Sequence, residues 1–164
     1  VEVLDVHSLV AISLLDRVVN RTAKEIILDR LFMFPKSWVL VAPDAGAKDR
    51  VRQVAEINKN RVIEAHKIRN PHDGSLGKID FILPESWVGS ENLLIIDDIC
   101  DGGRTFIELA KILRPLTSGR IFLYVTHGIF SKGMQVFDNL IDFIFVANLI
   151  GLQNQNISSN MRKL

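Results

Sequence analysis

Short apolar runs that alternate with helical stretches constrain this sequence more than any other feature. The runs cover 38–43, 61–66, 93–98, 121–127 and 142–148. Each has the length and the branched or aromatic content of a strand that is buried on both faces. Between them, apolar residues recur at helical spacing over 8–31, 45–59 and 105–113. This alternation predicts an α/β fold with a mostly parallel central sheet of about five strands and helices on both faces.

Length, charge and cysteine content narrow the class of protein. A chain of 164 residues fits one domain with a sizeable core. The formal net charge is +1, so we expect neither nucleic acid nor an anionic membrane to be a partner. No apolar run approaches the roughly 18 residues of a membrane span. The lone Cys100 excludes an internal disulfide and fits a reducing compartment, so we expect the protein to be cytoplasmic.

Two stretches stand apart from the alternating pattern. The opening "VEVLDVHS" lacks an initiator methionine and reads as though it begins inside a strand, so we interpret the sequence as a trimmed or partial chain. Residues 67–78 are polar and contain Pro71, Gly74 and Gly77. This composition predicts a long mobile loop.

The run 93–98 ends on Asp97 and Asp98 in "LLIIDDICDGGRTF". An unpaired carboxylate is not tolerated in an apolar interior, so the pair must face solvent, a metal ion or a polar ligand. Gly102 and Gly103 free the backbone to surround an anion with N–H groups, and Thr105 begins the next predicted helix. The positive end of that helix favours a phosphate. Carboxylates that can accept hydrogen bonds from a diol, next to a loop that can bind an anion, indicate a site for a ribose phosphate.

A strand that ends in a solvated Asp-Gly turn explains the same residues without any ligand. The stretch also matches neither the Walker phosphate loop nor the dinucleotide-binding GxGxxG pattern. Local sequence alone leaves the two interpretations open.

The stretch "IIDDICDGGRT" resembles the phosphoribosyl diphosphate (PRPP) motif of type I phosphoribosyltransferases and of ribose-phosphate diphosphokinases. In that family the leading acids bind the ribose hydroxyls and the following loop binds the 5-phosphate. Arg104 stands where the family usually has a small residue, and an arginine can itself pair with phosphate. The resemblance implies these substrate-binding residues: Asp97, Asp98, Asp101, Gly102, Gly103, Arg104 and Thr105.

Four further segments resemble the diphosphokinases and occur in that family's order. They are "LDVHS" (4–8), "VAPDAGAKDR" (41–50), "HKIR" (66–69) and "YVTHGIFSKG" (124–133). Together they cover nearly the whole chain and are similar to the carboxyl-terminal half of a diphosphokinase. The resemblance implies one phosphoribosyltransferase-like domain over 1–164, from a chain about twice as long.

The resemblance also implies roles outside the PRPP motif. His7 and Asp44 would hold the Mg²⁺ of Mg-ATP, although an isolated histidine is more often a surface residue and Asp44 could simply cap helix 45–59. Lys67 and Arg69 would be the catalytic cations, since phosphoryl transfer spreads negative charge over the transferred group. A solvated basic loop is the alternative. His127 fits either a site role or a structural role.

The leading hypothesis is therefore a ribose-phosphate diphosphokinase that converts ribose 5-phosphate and ATP to PRPP and AMP with Mg²⁺ as cofactor. By the resemblance we expect a homo-oligomer, with much of the ATP site on the amino-terminal half and a neighbouring subunit. This chain alone would then turn over ATP slowly. The alternatives are a phosphoribosyltransferase that consumes PRPP and a non-catalytic regulatory subunit. The segments 41–50, 66–69 and 124–133 favour the diphosphokinase.

Overall fold

A computed structural model of the chain describes residues 1–30, 34–69, 76–150 and 161–163. The strands are β1 (Glu2–Leu4), β2 (Val19–Arg21), β3 (Val39–Ala42), β4 (Arg61–Glu64), β5 (His66–Arg69), β6 (Leu76–Asp80), β7 (Leu93–Cys100), β8 (Ile121–Gly128), β9 (Phe143–Leu149) and β10 (Met161–Lys163). The helices are α1 (Leu9–Ser13), α2 (Ala23–Arg30), α3 (Lys48–Asn58) and α4 (Arg104–Leu113). Short 3₁₀ helices cover Arg114–Leu116 and Met134–Phe137.

A six-stranded sheet in the order β10-β9-β8-β7-β3-β4 forms the centre of the fold. Every neighbouring pair in it is parallel. The five apolar runs of the sequence supply β3, β4, β7, β8 and β9, so the predicted α/β fold is confirmed. The chain runs outward from β3 to β4 and then returns to the other side of β3 with β7. Ligands of open parallel sheets bind at such a change of direction, beyond the carboxyl ends of the strands.

The sheet carries an apolar layer on each face, because successive side chains of a strand point to opposite sides. Val39 and Val41 of β3 join the layer that α4 covers, whereas Leu40 and Ala42 join the layer of α2 and α3. All four residues are fully buried. The predicted helices on both faces are therefore present, and they fix the strand ends relative to one another.

The predicted helix over 8–31 is wrong in its middle. The structure has α1, then β2 in parallel pairing with β1, and then α2. Arg17 has a left-handed φ of 51°, which turns the chain between α1 and β2. The apolar spacing in this region belongs to a strand pair and two short helices, which periodicity alone does not separate from one helix.

The predicted loop over 67–78 is partly wrong as well. Its two ends belong to an antiparallel hairpin, in which His66 of β5 pairs with Asp80 of β6. The part of the prediction that concerns residues 70–75 lies outside the described residues. None of the helices in the described ranges has the length and hydropathy that a membrane crossing requires.

The packing of α4 gives a test of the fold. Leu109 is fully buried in the layer between α4 and the sheet. Leu109→Ala should lower the free energy of unfolding by about 2–5 kcal/mol, because it leaves a cavity. Ile112, with 36% of its surface exposed, is the matched control on the same helix, and Ile112→Ala should cost clearly less. Urea unfolding of both variants measures the difference, and equal losses would contradict this orientation of α4.

Candidate functional site

An open cavity of about 490 Å³ lies beyond the carboxyl ends of β3 and β7. Its walls come from the amino-terminal segment, the turn after β3, the first turn of α3, the end of β7 and the start of α4. The lining residues are His7, Asp44, Gly46, Arg50, Asp97, Asp98, Ile99, Asp101, Gly102, Gly103, Arg104, Thr105 and Phe106. The structure thus brings together all the substrate-binding residues and both magnesium residues that the resemblance implied.

Asp97 and Asp98 lie within β7, which continues as a strand to Cys100. The backbone N–H of Asp98 donates to Asp97 Oδ1 at 3.0 Å. Both carboxylates also reach one guanidinium group: Arg50 Nη1 lies 3.5 Å from Asp97 Oδ1, and Arg50 Nη2 lies 3.3 Å from Asp98 Oδ2. Asp97 and Asp98 are thus adjacent residues of one strand, with no turn between them, and both still contact the same guanidinium group.

Arg50 is the functional-site residue that the sequence interpretation missed. Its Nε lies 3.2 and 3.1 Å from the two carboxylate oxygens of Asp5, so one cation contacts three acids. Only 14% of the Arg50 side chain is exposed. The available signal was indirect: Asp97 and Asp98 end a buried apolar run, and buried carboxylates require a compensating cation. Arg50 lies in the quoted segment 41–50, but nothing local shows which cation would reach the acids.

The amino-terminal segment is tied to β8 through polar contacts. Asp5 is buried, and its Oδ2 accepts from Thr126 Oγ1 at 2.7 Å. His127 Nε2 lies 2.9 Å from the Leu4 carbonyl oxygen, and Asn148 Nδ2 lies 3.2 Å from His127 Nδ1. The amide of Asn148 can donate to Nδ1 while Nε2–H donates to the carbonyl. His127 thus contacts the backbone of the segment, which favours the structural role of the two left open.

His7 and Asp44 both line the cavity. The His7 ring is 84% exposed, and its Nδ1 lies 2.7 Å from Asp98 Oδ2. Asp44 Oδ1 accepts from the backbone N–H groups of Gly46 at 3.0 Å and Ala47 at 3.3 Å, immediately before α3. Helix α3 begins at Lys48 with Ala47 as its N-cap, not at 45 as predicted, so these bonds hold the turn before the helix and are not the predicted cap of helix 45–59. A carboxylate has about four acceptor sites, so holding this turn is compatible with a second role toward a ligand.

The glycine loop after β7 has a backbone that only glycine adopts easily. Gly103 has a φ of 73°, and a Cβ atom there would lie 2.5 Å from Phe137 Cζ. Helix α4 begins directly afterwards, at Arg104. Arg104 is 71% exposed, and its Nε contacts Glu108 Oε1 at 2.7 Å in an i,i+4 ion pair. Its charge is therefore shared with a carboxylate on the outer face of α4.

The two motif acids titrate differently. Burial and the neighbouring charge of Asp98 raise the pKa of Asp97 to about 7. Burial also acts upward on the pKa of Asp98, but the Arg50 charge and the hydrogen bond from His7 outweigh it and hold that pKa below its ordinary value. Near neutral pH the pair therefore combines a firmly ionised Asp98 with an Asp97 that exchanges its proton readily.

Lys67 and Arg69 lie on β5, next to the antiparallel partner β6. Their side chains lie outside the described part of the structure, so the catalytic role that the resemblance implied stays a prediction.

The different pKa shifts of Asp97 and Asp98 can be tested through the pH dependence of the free energy of unfolding. The unfolded chain releases the Asp97 proton near pH 3.8, whereas the folded protein holds it to about pH 7. Raising the pH through this window therefore destabilises the folded state. Asp97→Asn removes that effect, so its stability relative to the parent should rise by about 4 kcal/mol between pH 4 and pH 8.

Asp98→Asn is the matched control, and its stability relative to the parent should change much less between pH 4 and pH 8, because the stabilisation by ionised Asp98 is lost only below its ordinary pKa of 3.8. The Asp98 pKa is lowered on folding, so its ionised form stabilises the native state above the ordinary pKa. Urea unfolding at both pH values measures the trend. A fall in the relative stability of Asp97→Asn from pH 4 to pH 8 would contradict the assignment.

Comparisons with known proteins identify relatives of this chain. A family model described as the phosphoribosyl synthetase-associated domain matches residues 85–164. The ribose-phosphate pyrophosphokinase of Mycoplasmopsis pulmonis is 33% identical over 135 residues, which is 79% of this chain and 40% of that protein. The ribose-phosphate pyrophosphokinase of Pyrococcus abyssi is 33% identical over 122 residues, 73% of this chain and 41% of that protein. The chain thus spans about 40% of the length of these curated relatives.

Solved structures agree on the fold. A phosphoribosylpyrophosphate synthetase from Mycobacterium smegmatis superimposes with a TM-score of 0.81 at 17% identity, over 99% of this chain and 53% of that one. An adenine phosphoribosyltransferase from Thermoanaerobacter pseudethanolicus superimposes with a TM-score of 0.57 at 16% identity, over 75% of this chain and 76% of that one. At these identities the likeness concerns the fold, and it confirms the expected type I phosphoribosyltransferase-like architecture.

Proposed function

We propose that this chain, whose sequence is similar to those of ribose-phosphate pyrophosphokinases, forms the ribose 5-phosphate side of such an enzyme's active site. In the proposed reaction, the anomeric hydroxyl of ribose 5-phosphate attacks the β-phosphorus of ATP. The bond between that phosphorus and the oxygen bridging to the α-phosphate breaks, which gives PRPP and AMP. One observation carries the proposal: the acid pair of β7 and the glycine loop before α4 line a single cavity.

The acid pair is suited to hold the sugar. Carboxylates accept hydrogen bonds from neighbouring hydroxyl groups, and such charge-assisted bonds are about twice as strong as neutral ones. Asp98 is ionised and only 3% exposed, so its oxygens are fixed in direction. Arg50 holds both acids from the protein side. Asp101, at the mouth of the loop, completes the acidic rim.

The glycine loop is suited to hold the 5-phosphate. It passes directly into the first turn of α4, where backbone N–H groups have no intrahelical acceptor and the helix dipole favours an anion. Gly103 allows the left-handed turn that brings these groups together. In this proposal the phosphate binds to the backbone between Gly102 and Thr105, while the sugar ring extends toward β7.

The residues that line the cavity fit Mg²⁺ rather than a closed metal site. Within the described residues, no group of three or more His, Cys, Asp or Glu side chains is arranged to hold a metal ion. Mg²⁺ keeps several waters and takes oxygen ligands from one or two carboxylates and from substrate phosphates. Asp44 and His7 are the residues proposed to hold it. When bound, the ion would neutralise negative charge on the ATP phosphates.

Lys67 and Arg69 are proposed as the cations that stabilise the transferring group. They follow His66 on β5, and Lys48 Nζ on α3 lies 3.3 Å from His66 Nε2, so β5 starts near α3. Positive charge that meets the phosphoryl group mainly in the transition state raises turnover more than it raises substrate affinity.

A phosphoribosyltransferase is the second candidate, because the PRPP motif and the fold are common to both enzyme classes. The curated relatives with matching sequence are pyrophosphokinases, whereas the likeness to adenine phosphoribosyltransferases is one of fold. The regulatory-subunit alternative would retain sugar phosphate binding without turnover. Analysis of the reaction products distinguishes the pyrophosphokinase, the phosphoribosyltransferase and the regulatory subunit.

The acid pair gives the binding test. Asp97→Asn and Asp98→Asn should each weaken ribose 5-phosphate binding about 10- to 150-fold, the usual effect of losing a charge-assisted hydrogen bond. Titration calorimetry measures the affinity. Asp138→Asn, at an exposed acid after the second 3₁₀ helix, is the control and should bind like the parent. Parent affinity in both site variants would reject the assignment of the acids.

The reaction class is tested by products on the full-length protein. We expect AMP to form from ATP only when ribose 5-phosphate is present. A phosphoribosyltransferase would instead release diphosphate from PRPP only when an acceptor base is added. A regulatory subunit would bind ribose 5-phosphate and form neither product. Sugar-dependent AMP therefore supports the proposed reaction, and its absence from an active, sugar-binding preparation contradicts it.

A further inference from the structure

The segment between β8 and the second 3₁₀ helix packs directly on the glycine loop. The backbone N–H groups of Ile129 and Phe130 both contact the Cys100 carbonyl oxygen, at 2.8 and 3.2 Å. The Phe137 ring occupies the space that a side chain at Gly103 would need. The segment and the loop are thus fixed to each other by hydrogen bonds and by aromatic packing.

A tight turn presents Lys132 from this segment. The N–H of Gly133 donates to the Phe130 carbonyl oxygen at 2.8 Å, which closes a turn with Lys132 in its third position. Phe130 and Gly133 both have left-handed φ angles, of 49° and 77°. The Phe130 ring is 1% exposed, so the base of the turn is anchored in the core while Lys132 lies on the surface.

The Lys132 side chain runs along the loop at Gly102. Its Cε, Cδ and Cγ atoms lie 3.5, 3.6 and 3.9 Å from the position that a Cβ atom at Gly102 would take. This is ordinary van der Waals contact, and it is the nearest contact recorded at that face of Gly102. The methylene stem therefore covers the loop backbone, and the ammonium group at its end lies close to the same loop.

The positive charge of Lys132 takes part in no ion pair within the part of the chain that the structure describes. No described carboxylate lies within ion-pair distance of its ammonium group, whereas Arg104, the other cation of the loop, is paired with Glu108. A phosphate monoester carries a charge of about −1.5 to −2 near neutral pH. Backbone N–H groups supply partial charges only, so a full positive charge beside them would add to phosphate binding.

We propose that Lys132 is a further binding residue of this site, and that its ammonium group pairs with the phosphate of the sugar phosphate held by residues 102–105. The inference rests on the proposed function, because it takes the ligand to be ribose 5-phosphate. In this role Lys132 favours the phosphorylated sugar over the free sugar, since its methylene stem lies against Gly102, in the loop that is proposed to hold the phosphate. A flexible lysine on a fixed turn suits this role, because it can follow the anion into place.

The test is titration calorimetry of the full-length protein with ribose 5-phosphate and, separately, with ribose. Lys132→Ala should weaken ribose 5-phosphate binding about 10-fold and leave ribose binding unchanged. The affinity of the variant should also depend less steeply on salt, because one ionic contact is lost. Lys132→Arg should restore most of the affinity. Lys111→Ala, at an exposed lysine in the last turn of α4, is the matched control and should bind like the parent.

The possible results of this experiment distinguish a failure of the Lys132 proposal from a failure of the proposed function on which it rests. A parent protein that does not bind ribose 5-phosphate overturns both. A parent that binds it, with Lys132→Ala at the same affinity and the same salt dependence, overturns the role of Lys132 alone. Equal losses for ribose and ribose 5-phosphate indicate a structural effect and also overturn it. If Lys132→Ala fails to fold, Lys132→Gln, which keeps most of the stem without the charge, undergoes the same comparison.

Discussion

The site depends on one buried guanidinium group. Arg50 contacts Asp5, Asp97 and Asp98, which come from the amino-terminal segment and from β7, and it is itself held by α3. Removing one partner from a buried ion pair typically costs about 3–5 kcal/mol, because the remaining charge is left uncompensated. With Arg50 at the centre, three separate parts of the chain share that energy. The position of the acid pair is therefore a property of the tertiary fold, although the acids themselves belong to one strand.

Arg50 does not fully neutralise the three carboxylates that it contacts, and this affects the chemistry of the acid pair. Burial and the neighbouring charge of Asp98 keep the pKa of Asp97 at about 7 although Arg50 lies beside it, while the Arg50 charge and the His7 hydrogen bond keep Asp98 ionised. Proteins accept such strain where binding or catalysis benefits from it. In the proposed function, sugar hydroxyl groups and Mg²⁺ would supply the missing positive character. The same excess negative charge that lowers the stability of the free protein would then strengthen ligand binding.

The sequence predicts the elements whose signal is local. The runs that became β3, β7 and β8 are buried on both faces, so their composition alone identifies them, and the PRPP motif follows from adjacent residues such as Asp98 and Gly103. Elements that depend on distant partners are not predictable in this way. Strand β2 exists because it pairs with β1, and its apolar spacing is also compatible with a helix. Three strands, β4, β5 and β6, separate Arg50 in α3 from the acids that it contacts in β7, and no local pattern joins them.

The two walls of the cavity differ in how they are held, and this bears on how a ligand would enter. The acid pair and the glycine loop are backed by the apolar layers of the sheet, whereas His7 lies between Leu4 and Val10, which are 37% and 68% exposed. The amino-terminal segment is joined to the rest of the site through polar contacts of Asp5, His7 and the Leu4 carbonyl. Asp98 therefore has two functions, as a partner of His7 and as a candidate acceptor for the sugar. If a ligand hydroxyl takes the acceptor site on Asp98 Oδ2 that the His7 ring occupies, ligand binding and the position of the amino-terminal wall are thermodynamically coupled.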